Sequence, residues 1–345
     1  MSKQFGAKPK KADIQKYEKS PNWDGSKFVN LVDTTMSITL RTLPKLLYKQ
    51  FCDKKNREPS KPLKVIPFDK DKWNAAGNET KYIWYGHSVI VLKINNLNIA
   101  IDPMFGPDAA PIAPFAVKRF SRNTLEILDT LPELDLVLLS HDHYDHLDFD
   151  SITKLKTKVK AFYVALGVKR HLEAWGIDSE RITEFDWWEK QTFQTIDITF
   201  TPSRHFSGRG LTDRAKSLWG GWVLKTEKEN IWFSGDSGYG THFKEIGKRL
   251  GPFGFGFMES GQYNDNWSQI HMTPEESVQA AKDAGVTNKI PVHWSGFALA
   301  QHTWTEPAER FVAASEKEES DYHLPRIGEM YSIKDTDRIK WWNEL

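Results

Sequence analysis

The chain has 345 residues, a formal net charge of +1 and one cysteine, Cys52. A single cysteine excludes an intrachain disulfide and a cluster of thiolate ligands, and the balanced charge argues against a nucleic-acid partner. No stretch approaches the roughly 20 consecutive apolar residues of a membrane-spanning helix, and the length suits one large α/β domain.

We expect residues 1–79 to form an N-terminal extension and residues 80–345 to form the main domain. The first twenty residues are rich in lysine and lack an apolar segment, so we expect no secretory signal and a cytoplasmic protein. Residues 34–51 place apolar side chains at helical spacing beside a basic row: Met36, Leu40, Leu43 and Leu47, then Arg41, Lys45 and Lys49. This helix could contact an anionic membrane at its inner surface or pack on the main domain, and Pro44 favours packing.

The main domain begins with strand-like segments. The apolar runs Val89–Leu92 and Leu97–Ile101 are separated by Asn95 and Asn96, a pattern typical of a β-hairpin. The segment Met104–Phe120 is rich in Pro, Ala and Phe without regular periodicity, so we expect it to form a pocket wall.

A dense cluster of polar side chains follows the apolar run Leu134–Leu139: His141, Asp142, His143, Tyr144, Asp145 and His146. Three imidazoles and two carboxylates on one turn cannot all be buried without ligands or partners. Zinc and other first-row metals prefer these ligand types. A solvated polar loop is the alternative, and a metal site requires further ligands from distant parts of the chain.

Three other apolar runs of strand length end at residues of the same kind. They are Ile196–Phe200 before His205, Ile231–Phe233 before Asp236, and Ile290–Val292 before His293. Taken singly, each residue would more commonly be a structural histidine or a turn-forming aspartate. Strand ends are where sheets build their sites, so the four together predict a metal centre.

Further polar residues surround this predicted centre. His271 precedes a helix start formed by Thr273, Pro274 and Glu276, so it could touch a bound anion or bond to a loop carbonyl. We expect His87 to support the site, and Asp142 and Tyr144 to face away from the first metal, although Tyr144 could reach a substrate oxygen. Arg204 and Arg209 flank His205, and we expect solvent-facing ion pairs for them rather than a phosphate contact.

The order His-x-His-x-Asp-His at residues 141–146 resembles the signature of the metallo-β-lactamase superfamily. Within that superfamily, the chain is most similar to the N-acyl phosphatidylethanolamine-hydrolysing phospholipases D and their bacterial relatives. The similarity covers residues 80 to 305 approximately, including Trp84-Tyr85-Gly86-His87, Ile101-Asp102-Pro103, Asp186-Trp187-Trp188-Glu189, Gly235-Asp236-Ser237-Gly238-Tyr239 and His293-Trp294.

This resemblance implies an α/β fold of the metallo-β-lactamase type, a four-layer αβ/βα sandwich. It implies two divalent cations, with zinc expected and iron or manganese as alternatives. The first would be held by His141, His143 and His205, the second by Asp145, His146 and His293, and Asp236 would bridge them. We place Asp145, Asp236 and His271 at the catalytic centre, with a hydroxide shared by the metals as nucleophile.

The resemblance favours a phosphodiesterase of phospholipase D type, acting on a phospholipid or a smaller phosphodiester. A lactonase or another hydrolase of carbonyl compounds could use the same centre. A metal-stabilised binding protein without turnover is the third alternative. The sequence leaves the substrate, the metal and the oligomeric state open.

Overall fold

The computed structural model describes residues 3–37, 41, 44–45, 47–48, 55–110 and 116–345. The predicted amphipathic helix in residues 34–51 depends on Leu40, Leu43 and Lys49, which lie outside the described residues. That prediction and the membrane contact attached to it stay predictions. Among the described residues, no helix is long and apolar enough to cross a membrane.

Two mixed sheets form the core. The strands of the first sheet are β1 (Lys81–Trp84), β2 (Ile90–Ile94), β3 (Leu97–Ile101), β4 (Leu134–Leu139), β5 (Val159–Ala165), β6 (Ile182–Phe185) and β13 (Met330–Ser332). Their order across the sheet is β13-β1-β2-β3-β4-β5-β6. Strands β3 to β6 run parallel, and β13, β1, β2 and β3 pair in antiparallel fashion.

The strands of the second sheet are β7 (Lys190–Phe193), β8 (Ile196–Pro202), β9 (Gly220–Lys225), β10 (Asn230–Phe233), β11 (Phe253–Glu259) and β12 (Val286–Val292). Their order is β12-β11-β10-β9-β8-β7, with β10, β11 and β12 parallel. The predicted hairpin is confirmed, because β2 pairs antiparallel with β3. Asn95 and Asn96 have φ values of 48° and 61°, as this tight turn requires.

The two sheets pack face to face through aromatic side chains. Tyr82 of β1 contacts Phe257 of β11 with ring centroids 5.4 Å apart, and Phe185 of β6 contacts Trp222 of β9 at 5.3 Å. All four side chains are buried. Strands β2 and β4 are buried along their whole length, which explains why they are mainly apolar, with Lys93 and Asp135 as the exceptions, and do not alternate apolar and polar residues.

The α-helices of the described residues are α1 (Lys11–Tyr17), α2 (Lys70–Ala75), α3 (Thr124–Thr130), α4 (Phe149–Leu155), α5 (Lys169–Ala174), α6 (His242–Leu250), α7 (Pro274–Ala284) and α8 (Glu306–Lys317). Short 3₁₀ turns span Lys3–Phe5, Ser179–Arg181, Asp265–Trp267 and Trp341–Glu344. Helix α7 packs on β11, β12 and α8. Its predicted capping box between Thr273 and Glu276 is confirmed. The predicted four-layer sandwich is also confirmed.

The N-terminal extension packs on the main domain. The indole Nε1 of Trp175 donates to the Lys3 carbonyl at 2.9 Å, and the amide of Phe28 donates to the Ala215 carbonyl at 2.9 Å. Both partners lie more than 170 residues further along the chain. The domain boundary at residue 80 stays a prediction, and these contacts place the extension against the loops of the main domain.

Candidate metal centre

The loops that follow β4, β8, β10 and β12 meet at one edge of the sandwich. They bring together all seven side chains that the sequence predicts as metal ligands: His141, His143, Asp145, His146, His205, Asp236 and His293. Their ligand atoms form overlapping groups in which all atoms lie within 4.8 Å of one another. All seven belong to the described part of the chain, and only His143 and Asp145 are partly exposed.

Local backbone geometry projects two of these ligands from their strand ends. Gly235 has a φ of 64°, and a Cβ atom there would collide with the Gly220 carbonyl oxygen. Glycine therefore permits the close turn that precedes Asp236. His293 also has a positive φ, 66°, and its loop is held by the His87 loop. The His293 amide donates to the His87 carbonyl at 2.9 Å, and the His87 amide donates to the Trp294 carbonyl at 2.7 Å.

The first group contains three imidazoles. His143 Nδ1 lies 2.9 Å from His141 Nε2 and 3.2 Å from His205 Nε2. The outer nitrogens of two rings have other partners, because His141 Nδ1 lies 2.9 Å from Ser140 Oγ and His205 Nδ1 lies 3.0 Å from the Ile270 carbonyl oxygen. An N–H at each outer nitrogen leaves the inner nitrogen with its lone pair free to bind a cation.

The second group is centred on Asp145. Its Oδ2 atom lies 3.3 Å from His293 Nε2 and 3.5 Å from His146 Nε2. His87 Nε2 lies 2.8 Å from the same oxygen, and the His87 side chain is fully buried. His87 thus occupies the position of a side chain that orients Asp145, in keeping with the supporting role predicted for it.

Asp236 lies between the two groups. Its Oδ2 atom is 3.1 Å from His146 Nε2 and 3.3 Å from His293 Nε2. The same oxygen is 3.9 Å from His141 Nε2 and 3.8 Å from His205 Nε2. One carboxylate oxygen therefore faces histidines of both groups, which is the position predicted for a bridging ligand.

The first group is poised to be neutral at ordinary pH. Burial holds the pKa of His141 and of His205 well below its ordinary value, because water is excluded from the charged form. Burial also lowers the pKa of His143 to about 4. Neutral imidazole is the form that binds metal ions.

The second group carries concentrated negative charge. Burial lowers the pKa of His146 and His293, but the carboxylates of Asp236 and Asp145 outweigh burial. The net result is a pKa well above the ordinary value for His146 and about 10 for His293. A field that retains protons on two buried imidazoles in the metal-free protein also attracts divalent cations, which would take the place of those protons.

The donor set fits divalent cations. Within the described part of the chain, Asp236 Oδ1 is buried and has no hydrogen-bond partner. Orphaned buried atoms of this kind are costly unless a ligand satisfies them. Nitrogen and oxygen donors without thiolates suit zinc, iron and manganese alike.

Comparisons with known proteins agree with this geometry. The family model described as "Beta-lactamase superfamily domain" matches residues 97–294. The chain belongs to this superfamily. An uncharacterized protein of Mycobacterium tuberculosis is 35% identical to it over 331 residues, which cover 94% of this chain and 88% of that protein.

Two further similarities concern enzymes. The N-acyl-phosphatidylethanolamine-hydrolyzing phospholipase D 1 of Caenorhabditis elegans is 32% identical over 270 residues, covering 73% of this chain and 75% of that enzyme. Igni18, a metallo hydrolase from Ignicoccus hospitalis, shares the fold with a TM-score of 0.57 at 18% identity, covering 73% of this chain and 97% of its own. The chain is a metal-dependent hydrolase of the beta-lactamase superfamily.

Sequence reasoning missed the role of Asp102 in this superfamily member. Its Oδ2 atom lies 2.7 Å from His146 Nδ1, and its Oδ1 atom accepts from the Ser140 amide at 2.8 Å. Asp102 follows β3 in a stretch already noted for its resemblance, Ile101-Asp102-Pro103. An isolated acid directly after a buried strand was the signal available.

Glu259 was missed as well. It ends β11, is buried, and accepts a hydrogen bond from the Ser237 amide at 3.0 Å. Its Oε1 atom bonds to His271 Nδ1 and lies 3.4 Å from His293 Nδ1. His271 therefore has a carboxylate partner rather than the loop carbonyl that was the alternative. The His271 ring stacks on His293 with centroids 5.1 Å apart.

Asp142 and Tyr144 face away from the ligand groups, as predicted. Asp142 is buried and accepts from the Gly208 amide at 2.7 Å, while its Oδ2 lies 3.2 Å from His171 Nε2. The Tyr144 hydroxyl donates to the Arg209 carbonyl oxygen. These contacts fix the back of the loop that carries the ligands.

The expectation for the two arginines beside His205 is wrong. Arg209 is buried rather than solvent-facing, and its guanidinium donates to the carbonyl oxygens of Asp142 and Leu147 at 2.6 Å each. Arg204 is half-buried and donates to the Asp33 carbonyl at 2.8 Å. Carbonyl oxygens of folded loops, not carboxylates at the surface, satisfy these cations.

A cavity of about 310 Å³ opens over the ligand groups, and we call it the metal cavity. The ligands His143, Asp145, His205, Asp236 and His293 line it together with His271. Its other walls are mainly apolar: Met36, Phe206, Trp267, Ile270 and Leu299, with Gln262. Among the described residues of Met104–Phe120, none lines this cavity, although the sequence predicted a pocket wall there.

Proposed function

We propose that the protein is a dinuclear metal-dependent phosphodiesterase of phospholipase D type. The observation that carries the proposal is the position of Asp236 Oδ2 within 3.9 Å of four histidine Nε2 atoms from both ligand groups. The similarity to a Caenorhabditis elegans enzyme named for hydrolysing N-acyl-phosphatidylethanolamine supports a phosphodiester substrate.

The donors divide between two sites. His141, His143 and His205 would hold one cation, Asp145, His146 and His293 the other, and Asp236 both. Zinc is the expected metal, although iron or manganese suits the same donors. Bound cations would supply Lewis-acid stabilisation of the phosphoryl oxygens and a water of lowered pKa.

The remaining residues of the metal cavity would bind and orient the substrate. His271 lines the cavity, and its Nδ1 is held by the buried carboxylate of Glu259, so its other ring nitrogen would be the one to contact a bound phosphoryl oxygen. Trp267, Ile270 and Leu299 form an apolar wall that suits the hydrocarbon part of a lipid and excludes water.

The proposed setting follows from the substrate class. We propose a cytoplasmic enzyme whose segment 34–51 contacts the membrane surface peripherally, without a nucleic-acid partner. The extension of residues 1–79 and the catalytic domain of residues 80–345 would then act together on one lipid, because the extension already contacts the loops around the site.

Metal content and turnover test the proposal on the purified protein. We expect about two metals per chain and metal-dependent hydrolysis of bis(p-nitrophenyl) phosphate. His143→Ala should lose metal and turnover together. His323→Ala is the control, because His323 is a buried histidine that contacts Tyr82 and Tyr331 instead of the ligands.

A parallel panel of lactones addresses the carbonyl-directed alternative. Hydrolysis of lactones without hydrolysis of any phosphodiester would refute the proposed phosphodiesterase activity. Metal retention without turnover of either class would favour a binding protein.

A further inference from the structure

A second cavity adjoins the metal cavity. It has a volume of about 320 Å³ and lies between residues 27–36, which we call the N-terminal strap, and the loops that carry His205, Arg214 and Ile270. We call this cavity the strap compartment. Its existence depends on the N-terminal extension, because the strap forms one entire side.

The two cavities are adjacent and share part of their walls. Met36, His205, Phe206 and Ile270 line both of them. A molecule bound with its reacting group at the metal ligands could therefore extend past His205 into the strap compartment. The shared residues include a metal ligand, so the compartment begins directly at the reaction centre.

The strap is held in place by hydrogen bonds along its length. The Asn30 side chain pairs with the backbone of His205, donating to its carbonyl at 2.8 Å and accepting from its amide at 3.1 Å. The Thr35 amide donates to Gln269 Oε1 at 2.9 Å, and the Ser37 amide donates to the Asn266 carbonyl at 2.7 Å. The compartment is therefore preformed rather than dependent on loop closure.

The walls of the two cavities differ in character. The metal cavity is walled beyond its ligands by Trp267, Leu299 and other apolar side chains. The strap compartment adds polar groups, with Asn30, Thr34 and Thr35 among its lining residues. A phospholipid would accordingly place its hydrocarbon side in the metal cavity and its head group in the strap compartment.

The charged side chains that line the strap compartment give it a small excess of positive charge. Lys27 and Arg214 line it, and Arg204 lies directly behind the strap, bonded to Thr34 Oγ1 at 3.0 Å. Asp33 is the one carboxylate that lines it among the described residues. Within the described part of the chain, none of the three cationic side chains forms an ion pair.

Arg214 is connected to the reaction centre through the ring of Phe206. Its guanidinium carbon lies 3.8 Å from the centroid of the Phe206 ring. Phe206 in turn contacts the metal ligands His143 and His205, with ring centroids 4.5 Å and 5.0 Å apart. Stacking on Phe206 orients the guanidinium fork and leaves its N–H groups available to an anion.

We propose that the strap compartment binds the head group of the phosphodiester, and that Arg214 recognises a second anionic group on it. This inference rests on the proposed function. Hydrolysis would break the P–O bond to the head-group alcohol, bond the oxygen of one water to phosphorus, and leave a proton on the alcohol. The preferred substrate class is a phosphodiester whose leaving alcohol carries a carboxylate or phosphate.

Two soluble diesters that differ by one carboxylate test this specificity. They are glycerophospho-N-acetylserine and glycerophospho-N-acetylethanolamine, and kcat/KM is measured for both with the metal-loaded full chain. We expect the wild type to prefer the serine compound about tenfold, as one charge-assisted hydrogen bond provides. Arg214→Gln should remove most of that preference, and because Arg214 is exposed, the variant should fold.

Arg249→Gln is the matched control. Arg249 also stacks on an aromatic ring, that of Trp188 at 4.2 Å, but it lies on α6 outside both cavities. This control should keep the wild-type preference. Equal kcat/KM values for the two diesters in the wild type, or an unchanged preference in Arg214→Gln, would overturn the proposal.

A binding experiment separates this proposal from the proposed function. Ligand-observed NMR compares N-acetylserine with N-acetylethanolamine, the two leaving alcohols, on wild type and Arg214→Gln. Selective, Arg214-dependent binding of N-acetylserine without hydrolysis of any diester would refute the phosphodiesterase and retain the anion-binding compartment. Hydrolysis of both diesters without selective binding of N-acetylserine and without preference for the serine diester would leave the proposed phosphodiesterase standing. It would refute anion recognition in the strap compartment.

Discussion

His146 Nδ1 lies 2.7 Å from Asp102 Oδ2, and both side chains are fully buried. The carboxylate fixes a proton of His146 on Nδ1, so Nε2, which lies 3.1 Å from Asp236 Oδ2, is the ring nitrogen left to bind a cation. Asp102 thereby selects the tautomer and ring orientation of a predicted metal ligand, as carboxylates next to ligating histidines commonly do. Ser140 links the same carboxylate to the first ligand group, because its hydroxyl donates to Asp102 and contacts His141 Nδ1.

Asp102→Asn should weaken metal binding about 10- to 100-fold, because the amide removes the charge and presents an N–H group where an acceptor is needed. Competition with a chelator measures the affinity. Asp129→Asn provides the comparison, since Asp129 is an exposed acid paired with Lys154 outside the centre. Undiminished metal affinity in Asp102→Asn would contradict the orienting role.

Asp236→Asn and Asp142→Asn should separate metal binding from folding. Asp236 faces both ligand groups, so its amide variant should lose both metals and the activity. Asp142 accepts from Gly208 and lies beside His171 behind the ligand loop, so its variant should lose roughly 1–3 kcal/mol of unfolding free energy. Its metal content should stay near that of the wild type.

Elemental analysis of the two purified variants and urea unfolding provide the two measurements. If Asp142→Asn lost its metals while Asp236→Asn kept them, the residue assignment would be reversed. Comparable metal loss in both would mean that the loop cannot hold its ligands without the Asp142 contacts.

His302 should make the stability of the metal-free protein depend on pH. Its Nε2 accepts from the Gln262 amide at 2.9 Å and its Nδ1 lies 2.9 Å from the Thr303 carbonyl, so the folded protein holds the neutral ring. Burial lowers its pKa from 6.5 to about 4. Between these values the unfolded chain binds a proton that the folded chain does not, so stability is lost as pH falls from 6.5 to 4.

The loss of unfolding free energy that His302 causes over this interval is at most about 3 kcal/mol. Urea unfolding of wild type and His302→Gln, with chelator present, measures how the free energy of unfolding of each protein changes with pH. The variant should lose less stability over that interval. Parallel pH profiles for the two proteins would show that His302 does not titrate on unfolding.

Much of the centre was predictable because its signal is local. A run of ligand residues directly after the buried strand β4 cannot be explained by packing, and each distant ligand also follows a buried strand. The strands could be recognised in the sequence because turn residues such as Asn95 and Asn96 separate their apolar runs.

The supporting residues were not predictable because their partners are distant in sequence. Asp102 is 44 residues from His146, and Asn30 is 175 residues from His205. A single acid or amide carries no local pattern that indicates such a partner. Arg209 was misjudged for the same reason, since the carbonyl oxygen of Gln4 that it contacts belongs to the N-terminal extension.

Asn30→Ala tests whether the N-terminal extension is part of the centre. Asn30 holds both backbone polar groups of His205 and accepts from Trp219 Nε1 at 3.1 Å. Its loss should free the His205 loop and weaken metal binding about tenfold, measured by chelator competition. Asn22→Ala is the control, because Asn22 also anchors the extension, through Asp186 at 2.8 Å, but lies outside both cavities. Equal metal affinities in the two variants would show that the extension stabilises the fold without positioning His205.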